Sequence, residues 1–340
     1  MTKLQKGFTL LELMISLAIG LLVVSAATAI FLSAQRSLGF QLGMGDVQQN
    51  SNFGLAMLTH DLRHANLNTP SNQKINNKIV GSGVIFAREN YPSSLHTNLT
   101  NIAYSTQNFA DDATAGKSDQ IVIQFVPQYQ IEEASDVDPN DATKKINERL
   151  LSNTDMYDCE GNRIGFTTAK ANEDTQAIRP TMVQRYYVAK LPTSQQGSDG
   201  LDRYGLYCDA GYYNAGDSTI NGLGSNAQLL MQNIDAFKVL LGVKNPQNNQ
   251  LRYVTIDQYK TLMSSITAEK DYLQVISLQV SVVARSATNI GADAGLNNKT
   301  ITLPGAATAV VFDGDANLNK KYIRQLVTQV VGLRNTLGAS

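Results

Sequence analysis

Apolar and polar positions divide the chain into three regimes. From Leu13 to Leu32 the residues are almost all apolar and none is charged. Coiled as a helix, this run covers about 30 Å, the thickness of a bilayer core. From residue 33 to about 67 no Pro interrupts the chain, and Pro70 supplies a stop. Within that stretch Val47, Ser51, Leu55, Leu58, Leu62 and Ala65 recur at spacings of three and four, which is one face of a helix. Gly39, Gly43, Gly45 and Gly54 lie in the same stretch and mark bends or sites of close packing. After Pro70 the period shortens to that of β-structure. Strands are expected over 79–87, 120–126, 183–189, 228–243, 273–285 and 322–333, and a short helix over 259–266. Polar loops are expected over 88–118, 127–157, 190–200, 209–226 and 286–300. The pattern describes an α+β chain: one long N-terminal helix, half apolar and half amphipathic, packed on an antiparallel β-sheet head with long loops.

Charge orients the apolar run. Lys3 and Lys6 precede it and the next cation is Arg36. The positive-inside rule therefore leaves the N-terminus cytoplasmic and sends the head across the membrane. Over all 340 residues, Lys+Arg 28 against Asp+Glu 29 gives a net charge of -1, so no basic excess points to nucleic acid. No second apolar stretch approaches membrane-spanning length, which excludes a multi-span protein. Glu12 is the anomaly, a carboxylate at the edge of the apolar run with no partner nearby in the sequence. If the chain were cut after Gly7, the new α-amine of Phe8 would be a cation at the same depth, able to pair with Glu12 in its own or a neighbouring helix.

The segment Gly7-Phe8-Thr9-Leu10-Leu11-Glu12 resembles the prepilin peptidase site of type IV pilins and type II secretion pseudopilins. The resemblance implies cleavage between Gly7 and Phe8, N-methylation of Phe8, and a registering role for Glu12 in a filament. It also implies a pilin-like fold. A leader would occupy residues 1–7, the membrane and assembly half of the helix 8–32, its amphipathic half 33–67, and the head 70–340. Ala27-Thr28-Ala29 also fits a secretory signal peptide cut after Ala29, but Glu12 interrupts its apolar core. A plain single-span anchor is the remaining alternative. In the head, the stretches 118–125, 232–242, 275–286 and 322–335 resemble the PilW family of minor pilins, and also the J-type minor pseudopilin of type II secretion.

That resemblance implies a minor pilin priming type IV pilus assembly at or near the tip. Its partners would be other minor pilins, the major pilin, the prepilin peptidase, the inner-membrane assembly platform and a tip adhesin. It would sit in the inner membrane before assembly and on the pilus afterwards. A J-type pseudopilin and a surface adhesin or DNA-uptake pilin are the alternatives.

Candidate chemistry is sparse. No residue set nominates an enzyme, and no cofactor or metal is expected. His60 and His64 stand at i and i+4, as in a zinc motif, but they fall opposite Leu58 and Leu62, so a solvated helix face is expected. Asp313, Asp315 and Asn317 resemble the first half of a calcium loop. Leu318 replaces its turn glycine and Arg324 its closing Glu, so an acidic turn is the simpler reading, with calcium left open. The segment from Asp136 to Asp141 fails in the same way. Cys159 and Cys208 are the only cysteines. In an oxidising periplasm they would form a disulfide worth roughly 4 kcal/mol in the chain-entropy model, the alternative being two buried thiols.

Overall fold

The computed structural model describes residues 7, 9–70, 73–109, 118–133, 137–138, 141–145, 148–152, 156–165, 167–169, 179–197, 202–290, 300–306, 310–311 and 322–333. Phe8, the leader residues 1–6, Asp136 and the calcium candidates Asp313, Asp315 and Asn317 lie outside them.

Helix α1 runs over Leu10–Leu62, 53 residues in one uninterrupted element, roughly 80 Å long. Its two halves behave as the periodicity predicts. From Leu10 to Leu42 every residue except Gly39 is exposed. From Gly43 on, one face sinks into the head, with Val47, Ser51, Leu55, Leu58 and Leu62 buried. Two of the four glycines permit close approach. A Cβ at Gly54 would overlap Met231, and one at Gly43 would stand 3.1 Å from Ile290 and 3.2 Å from Ile323, whereas Gly39 and Gly45 face open space.

The helix stops at Leu62, short of the expected residue 67. Residues 63–68 form turns, with Asn66 and Asn68 at φ 65° and 54°, a left-handed conformation that asparagine tolerates. Asn66 is locked there: its N–H donates to Gln124 O at 3.1 Å and its Oδ1 accepts from Gly83 N at 3.1 Å. Ala65 is buried in the turn and so keeps its place on the apolar face.

The described strands are β1 (Ile121–Phe125), β2 (Tyr129–Glu133), β3 (Val137–Asp138), β4 (Asp141–Lys145), β5 (Glu148–Ser152), β6 (Thr167–Ala169), β7 (Thr181–Lys190), β8 (Tyr204–Tyr213), β9 (Gln228–Gln232), β10 (Ile234–Lys244), β11 (Leu251–Thr255), β12 (Gln274–Arg285), β13 (Thr300–Ile301), β14 (Val310–Val311) and β15 (Arg324–Gly332). Helix α2 spans Ile256–Ser264 between β11 and β12. Two four-stranded antiparallel sheets build the head, ordered β1-β7-β8-β9 and β11-β10-β12-β15. They share one core with the lower half of α1, in which Leu55, Leu58 and Leu62 meet Phe125, Tyr186, Met231, Phe237 and Val280. The architecture is α+β.

Three expectations for the head change. Residues 79–87 form turns in place of a strand, and their pairing with β1 is the isolated Val84–Ile123 bridge. Buried Asn90 supplies what a partner strand would. Its Oδ1 accepts from Phe86 N at 2.9 Å and its Nδ2 donates to Asn76 O at 2.8 Å and Ile79 O at 2.9 Å. The expected single strand over 228–243 is two, β9 and β10, broken at Asn233 with φ 53°. The loops expected over 127–157 and 209–226 contain strand: β2 to β5 in the first, and the end of β8 in the second.

Candidate functional site

The start of α1 is a capping box built from Thr9 and Glu12. Thr9 has extended backbone, and its Oγ1 accepts from Glu12 N at 3.2 Å. In return Glu12 Oε2 accepts from Thr9 N at 3.0 Å and from the Thr9 hydroxyl at 3.1 Å. Two of the donors that every helix N-terminus leaves open are thus satisfied reciprocally. This corrects the expectation that Glu12 has no partner nearby: its carboxylate already holds the first turn of its own helix. Gly7 is exposed, and among the described residues no atom lies within 4 Å of where its Cβ would stand. The Phe8 amine that sequence reasoning places opposite Glu12 lies outside the described residues.

Beyond the cap, α1 is long and apolar enough to cross a membrane, and its apolar stretch buries nothing against the head. Leu10, Leu22 and Ile30 are among its most exposed side chains. Past the first turn the backbone bonds along the helix, and the hydroxyls of Ser16, Ser25 and Thr28 donate to carbonyls of the preceding turn, so this surface can enter hydrocarbon or pack on other helices.

The head is braced by features that differ in how far sequence foretells them. Cys159 and Cys208 are joined in a disulfide, with Cα atoms 6.0 Å apart. It ties the turn at 157–163 to β8. Charged residues buried in the head were not foreseen. Asp119 lies next to β1, and its Oδ1 accepts from Lys238 Nζ at 2.8 Å while its Oδ2 accepts from Val239 N at 3.0 Å. Burial nonetheless outweighs Lys238 and pushes the Asp119 carboxyl above its ordinary range. Arg185 on β7 pairs with Asp209 on β8 at 3.4 Å and stacks 3.6 Å over the Tyr187 ring. Asp235, Arg285 and Arg324 join β10, β12 and β15 in the same manner. The available signal was a charge standing inside an apolar run, as Lys238 does among Phe237, Val239 and Leu240.

At the other end of α1 the structure departs again from the sequence reading. His60 is solvated, but His64 is half-buried, its ring 5.5 Å from that of Phe125 on β1. Burial holds the His64 imidazole below its ordinary value and pushes the Asp61 carboxyl above its own. The imidazoles of His60 and His64 meet edge to face with ring centres 5.0 Å apart. Asp61 Oδ1 lies 3.4 Å from His60 Nδ1, and its Oδ2 accepts from the Tyr186 hydroxyl at 3.0 Å. His96, the third histidine, lies apart, its Nε2 3.0 Å from Tyr91 O.

Comparison with known proteins agrees with both halves of this geometry. Residues 2–28 match the prokaryotic N-terminal methylation motif. Residues 185–335, from β7 to beyond β15, match the model of type IV pilus-assembly protein W. No curated protein matches the chain. A solved type IV-like pilin from Thermus thermophilus is similar over 66% of this chain and 80% of its own, at 12% identity and a TM-score of 0.26. By its methylation motif over residues 2–28 and its match over residues 185–335, together with an apolar helix that the head leaves uncovered, this chain is similar to type IV pilus-assembly proteins of the PilW type.

Proposed function

We propose that this chain is a minor pilin that primes type IV pilus assembly and is incorporated at or near the tip through α1. The observation that carries the reading is the division of α1: one half completes the core of the head, while the other exposes an apolar surface that a single copy never covers. Neighbouring pilin helices are the natural cover. The precursor waits in the inner membrane with its N-terminus cytoplasmic. Prepilin peptidase cuts between Gly7 and Phe8, and Phe8 is N-methylated. Its amine then meets a Glu12 carboxylate, so that two charges expensive to leave alone in hydrocarbon neutralise each other. The role is structural and not catalytic. The balanced charge of the chain favours protein partners, namely other minor pilins, the major pilin, the assembly platform and a tip adhesin, over DNA.

The capping box shapes the test, because Glu12→Ala removes both the charge and the cap. Glu12→Gln keeps a cap-competent side chain and removes only the charge. Both variants are expected to be processed and held in the membrane at wild-type levels, with intact mass placing the mature start at N-methyl-Phe8. Both are expected to lose co-purification with partner pilins and to give few fibres. A mature start at Ile30 overturns the pilin reading. Wild-type assembly by Glu12→Gln with failure of Glu12→Ala would reduce Glu12 to a helix cap.

A further inference from the structure

We propose that His60, Asp61 and His64 form a binding site for a zinc-class transition-metal dication at the C-terminal end of α1. Each residue offers one donor atom, and the three donors already lie within 4.8 Å of one another. Zinc bonds of about 2 Å place such ligands roughly 3.3 Å apart, so modest side-chain rotation closes the set. That rotation falls to His60, whose side chain is 72% exposed and free to swing.

The other two ligands are held in place by the head. Asp61 is fixed from behind: its Oδ2 accepts from the hydroxyl of fully buried Tyr186 on β7, which leaves Oδ1 facing His60. This is the outer-shell support that ligating carboxylates require. His64 is seated against Phe125 on β1. Two imidazole nitrogens and one carboxylate oxygen suit zinc, nickel or copper, and disfavour calcium and magnesium, which take oxygen donors. Three protein ligands at the surface leave the fourth tetrahedral position to solvent. A bound ion would pin the end of α1 to β1 and β7, where the helix gives way to the turns over 63–68.

The test uses the full chain, tag-free in detergent and stripped of metal, titrated with zinc chloride and separately with cobalt(II). One ion per chain is expected, with the visible absorption of tetrahedral cobalt and a higher thermal midpoint in zinc. His60→Ala, at an exposed position, is expected to weaken zinc binding by more than about tenfold, and Tyr186→Phe by about tenfold through the freed carboxylate. His96→Ala is the control and should bind as the wild type does. Absence of saturable zinc uptake, or wild-type affinity in His60→Ala, overturns the proposal.

Discussion

Single side chains in this head carry more polar chemistry than its β-rich core suggests. Tyr213 is buried at the end of β8, and its hydroxyl donates to Gln124 Oε1 at 2.9 Å. Burial pushes its ionisation from the ordinary 10.0 up to about 12. Below pH 10 the phenol is neutral in both folded and unfolded chains and favours neither. As pH rises through 10 toward 12, the unfolded phenol ionises while the folded one cannot, so stability is lost across that window. The loss approaches roughly 3 kcal/mol at its upper end. Tyr91 and Tyr186 are raised by burial as well and act in the same direction. Tyr213→Phe should therefore cost about 1 kcal/mol at pH 7, for the lost hydrogen bond, yet flatten the decline between pH 10 and 12. Denaturant midpoints at pH 8 and pH 11 measure both effects. An unchanged alkaline slope would mean that the phenol titrates normally.

At the scale of elements, α1 contains its own controls for the claim that glycine serves close packing. Gly45 is exposed with open space at its Cβ, so Gly45→Ala should stabilise the helix by up to about 1 kcal/mol. Gly54 faces Met231, so Gly54→Val should destabilise by roughly 1–3 kcal/mol through overpacking. In a Met231→Ala background the same change should cost much less. Thermal denaturation of the wild type and these four variants, Met231→Ala included, checks the set, and a destabilising Gly45→Ala would contradict the packing argument. The same elements explain what sequence could reveal. The buried face of α1 was legible because one helix against one core imposes a strict spacing on Val47, Leu55, Leu58 and Leu62. Strand β8 was not legible. Gly205, Asp209 and Gly211 read as breakers, yet Asp209 is matched by Arg185 and by Gly224 N at 3.0 Å. A Cβ at Gly211 would meet Asn221 O at 2.8 Å, so glycine is there to admit a neighbouring segment. Residues 79–87 misled in the opposite sense, because an apolar run does not disclose that Asn90 will satisfy its backbone. Of the candidate site, Glu12 stood out by charge alone, while its bond to Thr9 needed the helix start to be located to the residue.

Across the whole molecule, the boundary between anchor and head falls inside a single helix and not in a linker. The first buried residue of α1 is Gly43, and the residues from Gly43 to Leu62 form part of the same core as both large sheets. The membrane half therefore adds nothing to the head's stability, while the lower half cannot be spared. A chain lacking residues 1–35 should be soluble without detergent, because Leu10 to Leu32 are gone and every buried contact remains. Its thermal midpoint should lie within about 2 °C of that of the full chain in detergent, since a difference of 1 kcal/mol would already move a head of this size by 2–4 °C. A chain beginning at Ser51 loses Gly43 from beside Ile290 and Ile323, and Val47 from the core, exposing apolar surface that α1 had covered. It should melt several degrees lower and associate. If the shorter deletion melted as low as the longer one, the exposed half of α1 would be supporting the head. The helix could then not be divided into one part that folds the subunit and another that assembles it.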